Sequence, residues 1–131
     1  MNKKTHTPPH AILLIEDEPT IRDMKKIILE DLPAEITAVA TADEGIVALQ
    51  RQPWNLIISD VQTPGRYDGF HLAHVARQHL PQIGIILMSG YYGEFDAPRS
   101  PGLSFIEKPW KVDDFYALVT FHLAEDRFAP D

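Results

Sequence analysis

Short apolar runs without polar alternation recur along this chain, and they limit the folds open to it more than any other feature. The clearest run spans residues 55–60 (Asn-Leu-Ile-Ile-Ser-Asp) and ends abruptly in a carboxylate. A run this short and β-branched is typical of a strand buried on both faces, as in a parallel sheet. Similar runs predict strands at residues 11–15 and 83–88, alternation predicts one at residues 35–40, and a short strand is predicted at residues 103–107.

Helical patterns lie between these runs. Pro19 suits the first turn of one helix, and Thr41 with Glu44 forms a capping-box pattern at the start of the next. Asp68 is a candidate start for a third helix, which Pro81 ends, and a last helix is predicted at about residues 112–125. Apolar residues recur at helical spacing as Ile21, Met24, Ile28 and Leu32; Ile46 and Leu49; Leu72, Val75, Ala76 and Leu80; and Val112, Phe115, Val119 and Leu123.

Strands that alternate with helices predict an α/β fold, in which a parallel sheet is covered by helices on both faces. With right-handed crossovers, five strands fit the flavodoxin-like order 2-1-3-4-5. Residues 91–102 are rich in Pro and Gly, so the fourth helix expected there is short or irregular. We expect a flexible arm at residues 1–10, one domain at residues 11–125 and a tail at residues 126–131.

Composition narrows the classes of function. Nineteen Asp and Glu against twelve Lys and Arg give a formal charge of -7, which argues against a direct nucleic-acid partner. The absence of cysteine excludes a disulfide framework and a thiolate metal site. The longest early apolar run, at residues 11–15, is too short for a membrane span or a signal-peptide core. We therefore expect a cytoplasmic protein that binds neither membranes nor nucleic acid.

Charged and hydroxyl side chains follow four of the five predicted strands: Glu16 and Asp17, then Asp60, Ser89 and Lys108. The carboxyl ends of parallel strands share one edge of the sheet, where ligands of α/β folds bind. Three carboxylates at that edge need a compensating cation, and Mg²⁺ (or Mn²⁺) suits oxygen ligands. The constellation fits aspartyl-phosphate chemistry, in which Asp60 is the nucleophile and the metal and Lys108 neutralise the phosphoryl oxygens.

Five motifs in order resemble the receiver domain of two-component response regulators, such as the single-domain chemotaxis regulators. The resemblance covers about residues 11–125 and depends on the ordered combination, since each motif alone is weak. The motifs are Leu14-Ile15-Glu16-Asp17-Glu18, Ile58-Ser59-Asp60, Pro64 with Asp68-Gly69, Met88-Ser89-Gly90, and Phe105-Ile106-Glu107-Lys108-Pro109.

This resemblance implies a role for each side chain at the strand ends. Glu16 and Asp17 would be the acidic metal-binding pair. Asp60 would be the phosphoacceptor and also a metal ligand, and Gln62 would offer its backbone carbonyl to the metal. A divalent cation, Mg²⁺ or Mn²⁺, is thereby the expected cofactor.

The resemblance also implies a switch. Ser89 would be the switch hydroxyl, which turns toward the phosphoryl group, and Phe105 the aromatic side chain that follows it. Lys108 would bond the phosphoryl group, next to a cis peptide bond with Pro109. Tyr91, like Gln62, would control access of water to the site, and a bulky tyrosine there predicts slow self-dephosphorylation.

The loop after Asp60 departs from the family pattern. Thr63 stands where a methionine is common, and the loop is one residue longer than usual before the Asp68-Gly69 pair. This change is expected to alter access to the site without removing a ligand.

The implied function is that of a stand-alone receiver, which takes a phosphoryl group on Asp60 from a sensor histidine kinase or a histidine phosphotransfer protein. It would signal through contacts with a downstream protein, and it would be no enzyme beyond catalysing its own phosphorylation and dephosphorylation. Three alternatives stay open: an adaptor that binds partners without phosphorylation, an aspartyl-nucleophile phosphatase and a flavin-binding module. The phosphatase is disfavoured because such an enzyme needs a second Asp at the position of Gln62. The flavin-binding module is disfavoured because the carboxylate cluster would repel the phosphate of the flavin.

Overall fold

All five predicted strands are present in a computed structural model of the chain, which describes residues 10–90 and 101–124. The predictions for residues 91–102, for the arm at residues 1–10 and for the tail at residues 126–131 lie wholly or mostly outside this part of the chain. In chain order the elements are β1 (His10–Ile15), α1 (Pro19–Ile28), β2 (Ala34–Val39), α2 (Ala42–Leu49), β3 (Leu56–Asp60), α3 (Gly69–His79), β4 (Gly84–Ser89), β5 (Leu103–Glu107) and α4 (Val112–Leu123).

The strands form one parallel sheet in the order β2-β1-β3-β4-β5, which confirms the predicted flavodoxin-like α/β fold. β3 and β4 are buried at every position, and β1 is buried over its last four residues, whereas the edge strands β2 and β5 are largely half-buried. Helices cover both faces of the central strands, which is why their sequences are continuous apolar runs.

Successive side chains along each strand point to opposite faces, so the sheet separates two hydrophobic layers. Leu13 and Ile15 of β1 pack in the layer that contains buried residues of α2 and α3. Ile12 and Leu14 pack in the other layer, with buried residues of α4 and the end of α1. The position of a residue along its strand therefore decides which face of the sheet its side chain lies on, and this holds at the strand ends as well.

Helices α2 and α3 begin at the predicted caps. The Thr41 hydroxyl accepts a hydrogen bond from the Glu44 N–H at 3.1 Å, and Asp68 accepts one from the His71 N–H at 2.9 Å. The Glu44 carboxylate reaches back one residue further than the capping-box pattern predicts, because it accepts from the Ala40 N–H at 2.8 Å. These side chains satisfy backbone donors that a helix start leaves without an intrahelical acceptor.

The apolar stripe of α1 does not face the core at its first two positions. Ile21 and Met24 are exposed, whereas Lys25 is 1% exposed and lies in line with the buried Leu29. The buried face is rotated toward Lys25 because the ammonium group has an acidic partner inside, Glu16 at the end of β1. Hydropathy alone assigns such a lysine to the surface.

None of the helices in the described part of the chain has the length and apolar character needed to cross a membrane.

Candidate functional site

The register of the central strands brings the predicted carboxylates to one edge of the sheet. Ile15 pairs with Ser59, so Glu16 and Asp60 stand side by side as β1 and β3 end. Both continue the face of Leu14 and Ile58, which is the face covered by α1 and α4. The acidic edge is thus built by strand pairing and does not depend on a flexible loop.

Three carboxylates converge at this edge: those of Glu16, Asp17 and Asp60. Each offers an oxygen, and these three oxygens lie within 4.8 Å of one another. Glu16 and Asp60 are buried, whereas Asp17 is exposed. Like charges this close in a partly desolvated site repel one another unless cations compensate them. The donor set, which is all oxygen and open to solvent on the Asp17 side, fits a hard divalent cation such as Mg²⁺.

Lys108 supplies a positive charge directly beside Asp60. Its Nζ lies 3.0 Å from Asp60 Oδ1, and its backbone N–H donates to the Ser89 carbonyl oxygen at 2.7 Å. The Lys108–Pro109 peptide bond is cis, as expected. Oδ1 has no well-aligned hydrogen bond to any group in the described residues, so we regard the 3.0 Å contact as an ion pair.

Lys25 brings a second ammonium group to the same carboxylates, although hydropathy predicts a lysine at the surface. Its Nζ lies 2.6 Å from Glu16 Oε1 and 4.0 Å from Asp60 Oδ1. It also contacts Met88 Sδ at 3.3 Å and stands 5.9 Å from the centre of the Trp110 ring. The available signal was a lysine at a position four residues before a core leucine, on the helix that follows the acidic pair.

Burial raises the pKa of Asp60 above its ordinary value, because desolvation disfavours the carboxylate. The positive charge of Lys25 and the ion pair with Lys108 lower the pKa, and the negative charge of Glu16 adds to the rise. Burial is the largest of these effects, so the folded protein holds the ionised Asp60 at a cost in free energy. A cation bound beside the carboxylate relieves that cost.

The loop between β3 and α3 is tied to the start of α2. Asp43 accepts hydrogen bonds from the N–H groups of Tyr67, at 2.9 Å, and Arg66, at 3.1 Å, and these bonds lower the pKa of its carboxyl group. The Thr63 hydroxyl accepts from the Ala42 N–H at 3.2 Å. Thr63, which stands where the family commonly has a methionine, therefore anchors this loop.

Three of the remaining predicted residues lie on β4, on β5 and in the loop after β3. Ser89 is buried at the end of β4, one position beyond the residue that pairs with Asp60. Phe105 is half-buried opposite Leu87, and its ring centre lies 6.2 Å from that of Phe70. Gln62 is exposed, two residues beyond Asp60. The prediction for Tyr91 lies outside the described residues.

Comparisons with known proteins agree with this geometry. A family model described as "Response regulator receiver domain" matches residues 12–120. The nitrogen assimilation regulatory protein NtrX of Azorhizobium caulinodans is 30% identical over 109 residues, which are 79% of this chain but only 24% of that protein. A response regulator receiver protein of Sinorhizobium medicae superimposes with a TM-score of 0.81 at 26% identity, covering 90% of this chain and 96% of the other. The response regulator TrrA of Thermotoga maritima, in complex with Mg²⁺-BeF, superimposes with a TM-score of 0.76 at 25% identity, covering 87% and 99%.

Proposed function

The chain belongs to the response regulator receiver domain family, and from this premise we propose that it accepts a phosphoryl group on Asp60. The donor is a phosphohistidine on a sensor histidine kinase or a histidine phosphotransfer protein. The observation that carries the proposal is the setting of Asp60: a buried carboxylate at a strand end, 3.0 Å from the Lys108 ammonium and within an acidic cluster that suits a divalent cation.

The transfer is an in-line displacement at phosphorus. An oxygen of the Asp60 carboxylate forms the new P–O bond while the P–N bond to the donor imidazole breaks, and the electron pair of that bond stays on the imidazole nitrogen. Lys108, already beside Asp60 Oδ1, stabilises negative charge on the transferred oxygens. Desolvation of Asp60 favours this step, because the transfer turns the buried ionised carboxylate into an acyl phosphate. The negative charge then lies on the phosphoryl oxygens instead of the carboxyl group.

Glu16, Asp17, Asp60 and the backbone carbonyl of Gln62 are the groups proposed to hold Mg²⁺ or Mn²⁺. When bound, the cation neutralises charge on the phosphoryl oxygens and on the carboxylates. The all-oxygen donors of the three acidic side chains support this assignment. The structure of TrrA, a relative of this chain, contains Mg²⁺-BeF.

We propose that Ser89 and Phe105 transmit the phosphorylated state to a downstream protein. Ser89 binds a phosphoryl oxygen, and Phe105 adjusts its contact with Phe70 as β4 and β5 shift. Gln62 and Tyr91 set the access of water and hence the lifetime of the phosphoryl group. In this proposal the chain acts as a receiver, and its only catalysis concerns its own phosphoryl group.

The test is intact mass after incubation with Mg²⁺ and acetyl phosphate. The parent is expected to gain one phosphoryl group and Asp60→Asn none, while EDTA abolishes the gain. Asp23→Asn, which removes an exposed carboxylate of α1, is the matched control and is expected to be phosphorylated like the parent. If the parent gains no phosphoryl group although it binds Mg²⁺, the proposal is wrong and an adaptor that works without phosphorylation becomes the better account.

A further inference from the structure

Lys25 is a buried cation in the interior of the acidic edge. Only 1% of its side chain is exposed, on a helix face that packs against the sheet. Its shortest contact is to Glu16 Oε1 at 2.6 Å, and Met88 Sδ, Asp60 Oδ1 and the Trp110 ring lie further from the ammonium group, at 3.3, 4.0 and 5.9 Å. A buried ammonium group is tolerated only where a negative charge and hydrogen bonds compensate its desolvation. The acidic cluster provides that compensation.

The relation is mutual, because the ammonium group also compensates the carboxylates. Lys25 and Lys108 together leave one net negative charge on the cluster of Glu16, Asp17 and Asp60. Without Lys25 that excess would be two negative charges. The chain itself therefore compensates two of the three negative charges that a divalent cation would otherwise have to balance.

Both carboxylate oxygens of Glu16 are engaged by the protein. Oε1 accepts from Lys25, and Oε2 accepts from the Glu18 N–H at 3.2 Å. Asp17, next to it, is exposed. A cation at this edge therefore competes with Lys25 for the carboxylate of Glu16. It is also attracted less strongly, because Lys25 reduces the negative charge of the cluster.

We propose that Lys25 is a positioning residue that serves as a built-in counter-ion: it holds Glu16, stabilises the acidic edge without metal and weakens the affinity of the site for Mg²⁺. This inference rests on the proposed function, because it concerns the metal site of the same phosphoacceptor. It distinguishes this chain from a receiver whose acidic cluster depends on a divalent cation for charge balance.

The first test is the dissociation constant of Mg²⁺, measured by calorimetric titration. Lys25→Met, which fills the same space without charge, is expected to bind Mg²⁺ more tightly by about tenfold or more, since one unit charge within a few ångströms of a divalent ion has at least that effect even in water. Lys26→Met, on the exposed side of the same helix, is the matched control and is expected to bind Mg²⁺ like the parent. A purely structural lysine predicts no change in affinity.

The second test is thermal unfolding in EDTA and in saturating Mg²⁺. The parent is expected to be folded in EDTA and to gain little from Mg²⁺, whereas Lys25→Met melts lower in EDTA and recovers with Mg²⁺. If Lys25→Met does not fold in either condition, Lys25→Gln, which keeps a donor for Glu16, serves for both comparisons.

The outcomes separate the two proposals. An unchanged or weaker Mg²⁺ affinity in the Lys25 variants overturns the counter-ion role while the metal site stands. A parent that needs Mg²⁺ to fold also overturns that role. If neither the parent nor the variants bind Mg²⁺, the proposed metal site itself is wrong.

Discussion

Gly69, the first residue of α3, packs against the backbone of the strand end that carries Asp60. Its N–H donates to the Val61 carbonyl oxygen at 2.7 Å. A Cβ added at Gly69 would lie 2.4 Å from the Asp60 carbonyl oxygen and 3.0 Å from Val61 Cα, whereas ordinary contact begins at 3.4 Å. Because both neighbours are backbone atoms, Gly69→Ala requires a shift of about 1 Å between α3 and the end of β3.

This overpacking is expected to cost roughly 1–3 kcal/mol, more than alanine returns in helix propensity. At about 4 °C per kcal/mol for a chain of this size, the melting temperature of Gly69→Ala falls by roughly 4–12 °C. The shift also moves Asp60, so phosphorylation by acetyl phosphate slows. Gly90→Ala is the control, since no heavy atom of the described residues lies within 4 Å of the added Cβ. Equal melting temperatures for Gly69→Ala and the parent, measured by circular dichroism, would refute this reasoning.

Three further predictions concern single side chains. Asp60→Asn is expected to stabilise the metal-free protein at neutral pH, because burial raises the pKa of Asp60 and the folded state holds its carboxylate at a cost. The gain disappears as the pH falls through the folded pKa toward the ordinary value of 3.8, and thermal unfolding in EDTA across pH measures it. The N–H groups of Tyr67 and Arg66 lower the pKa of Asp43 by donating hydrogen bonds to its carboxylate. These two N–H groups are therefore expected to be protected from hydrogen exchange above the unfolded pKa of Asp43 and to lose protection as the pH falls through its folded pKa. In Asp43→Ala the protection is absent at every pH. In denaturant titrations, Phe115→Ala, at 0% exposure, costs about 3–5 kcal/mol, whereas Phe121→Ala, at 61% exposure, stays within about 0.5 kcal/mol; similar losses for both would contradict the layer assignment.

The sheet was predictable because burial on both faces leaves a simple mark in sequence. The runs that became β3 and β4 each contain consecutive apolar residues, 56–58 and 85–88, and their predicted bounds differ from the observed ones by one residue. Caps at Thr41 and Asp68 were predictable because the side chain and its backbone donor are only three residues apart. Local chemistry of this kind is visible without tertiary structure.

Contacts between distant segments could not be predicted in this way. Lys25 is inside because Glu16 emerges on the face that α1 covers, which depends on strand alternation and helix placement together. Thr63 reaches the start of α2, and Asp43 reaches the loop after β3, across more than twenty residues of sequence. Motifs located the acidic edge, but the second cation and the loop anchors required the fold.

Locating the phosphoryl group in the chain tests directly whether Asp60 is the phosphoacceptor. After phosphorylation by acetyl phosphate with Mg²⁺, borohydride reduction converts an aspartyl phosphate to homoserine, which peptide mass spectrometry then locates. If Asp60 is the phosphoacceptor, conversion occurs at Asp60 alone, and none occurs when the phosphodonor is omitted. Conversion at another aspartate, or a stable phosphoryl group on Ser59 or Ser89 with Asp60 unchanged, would contradict this assignment.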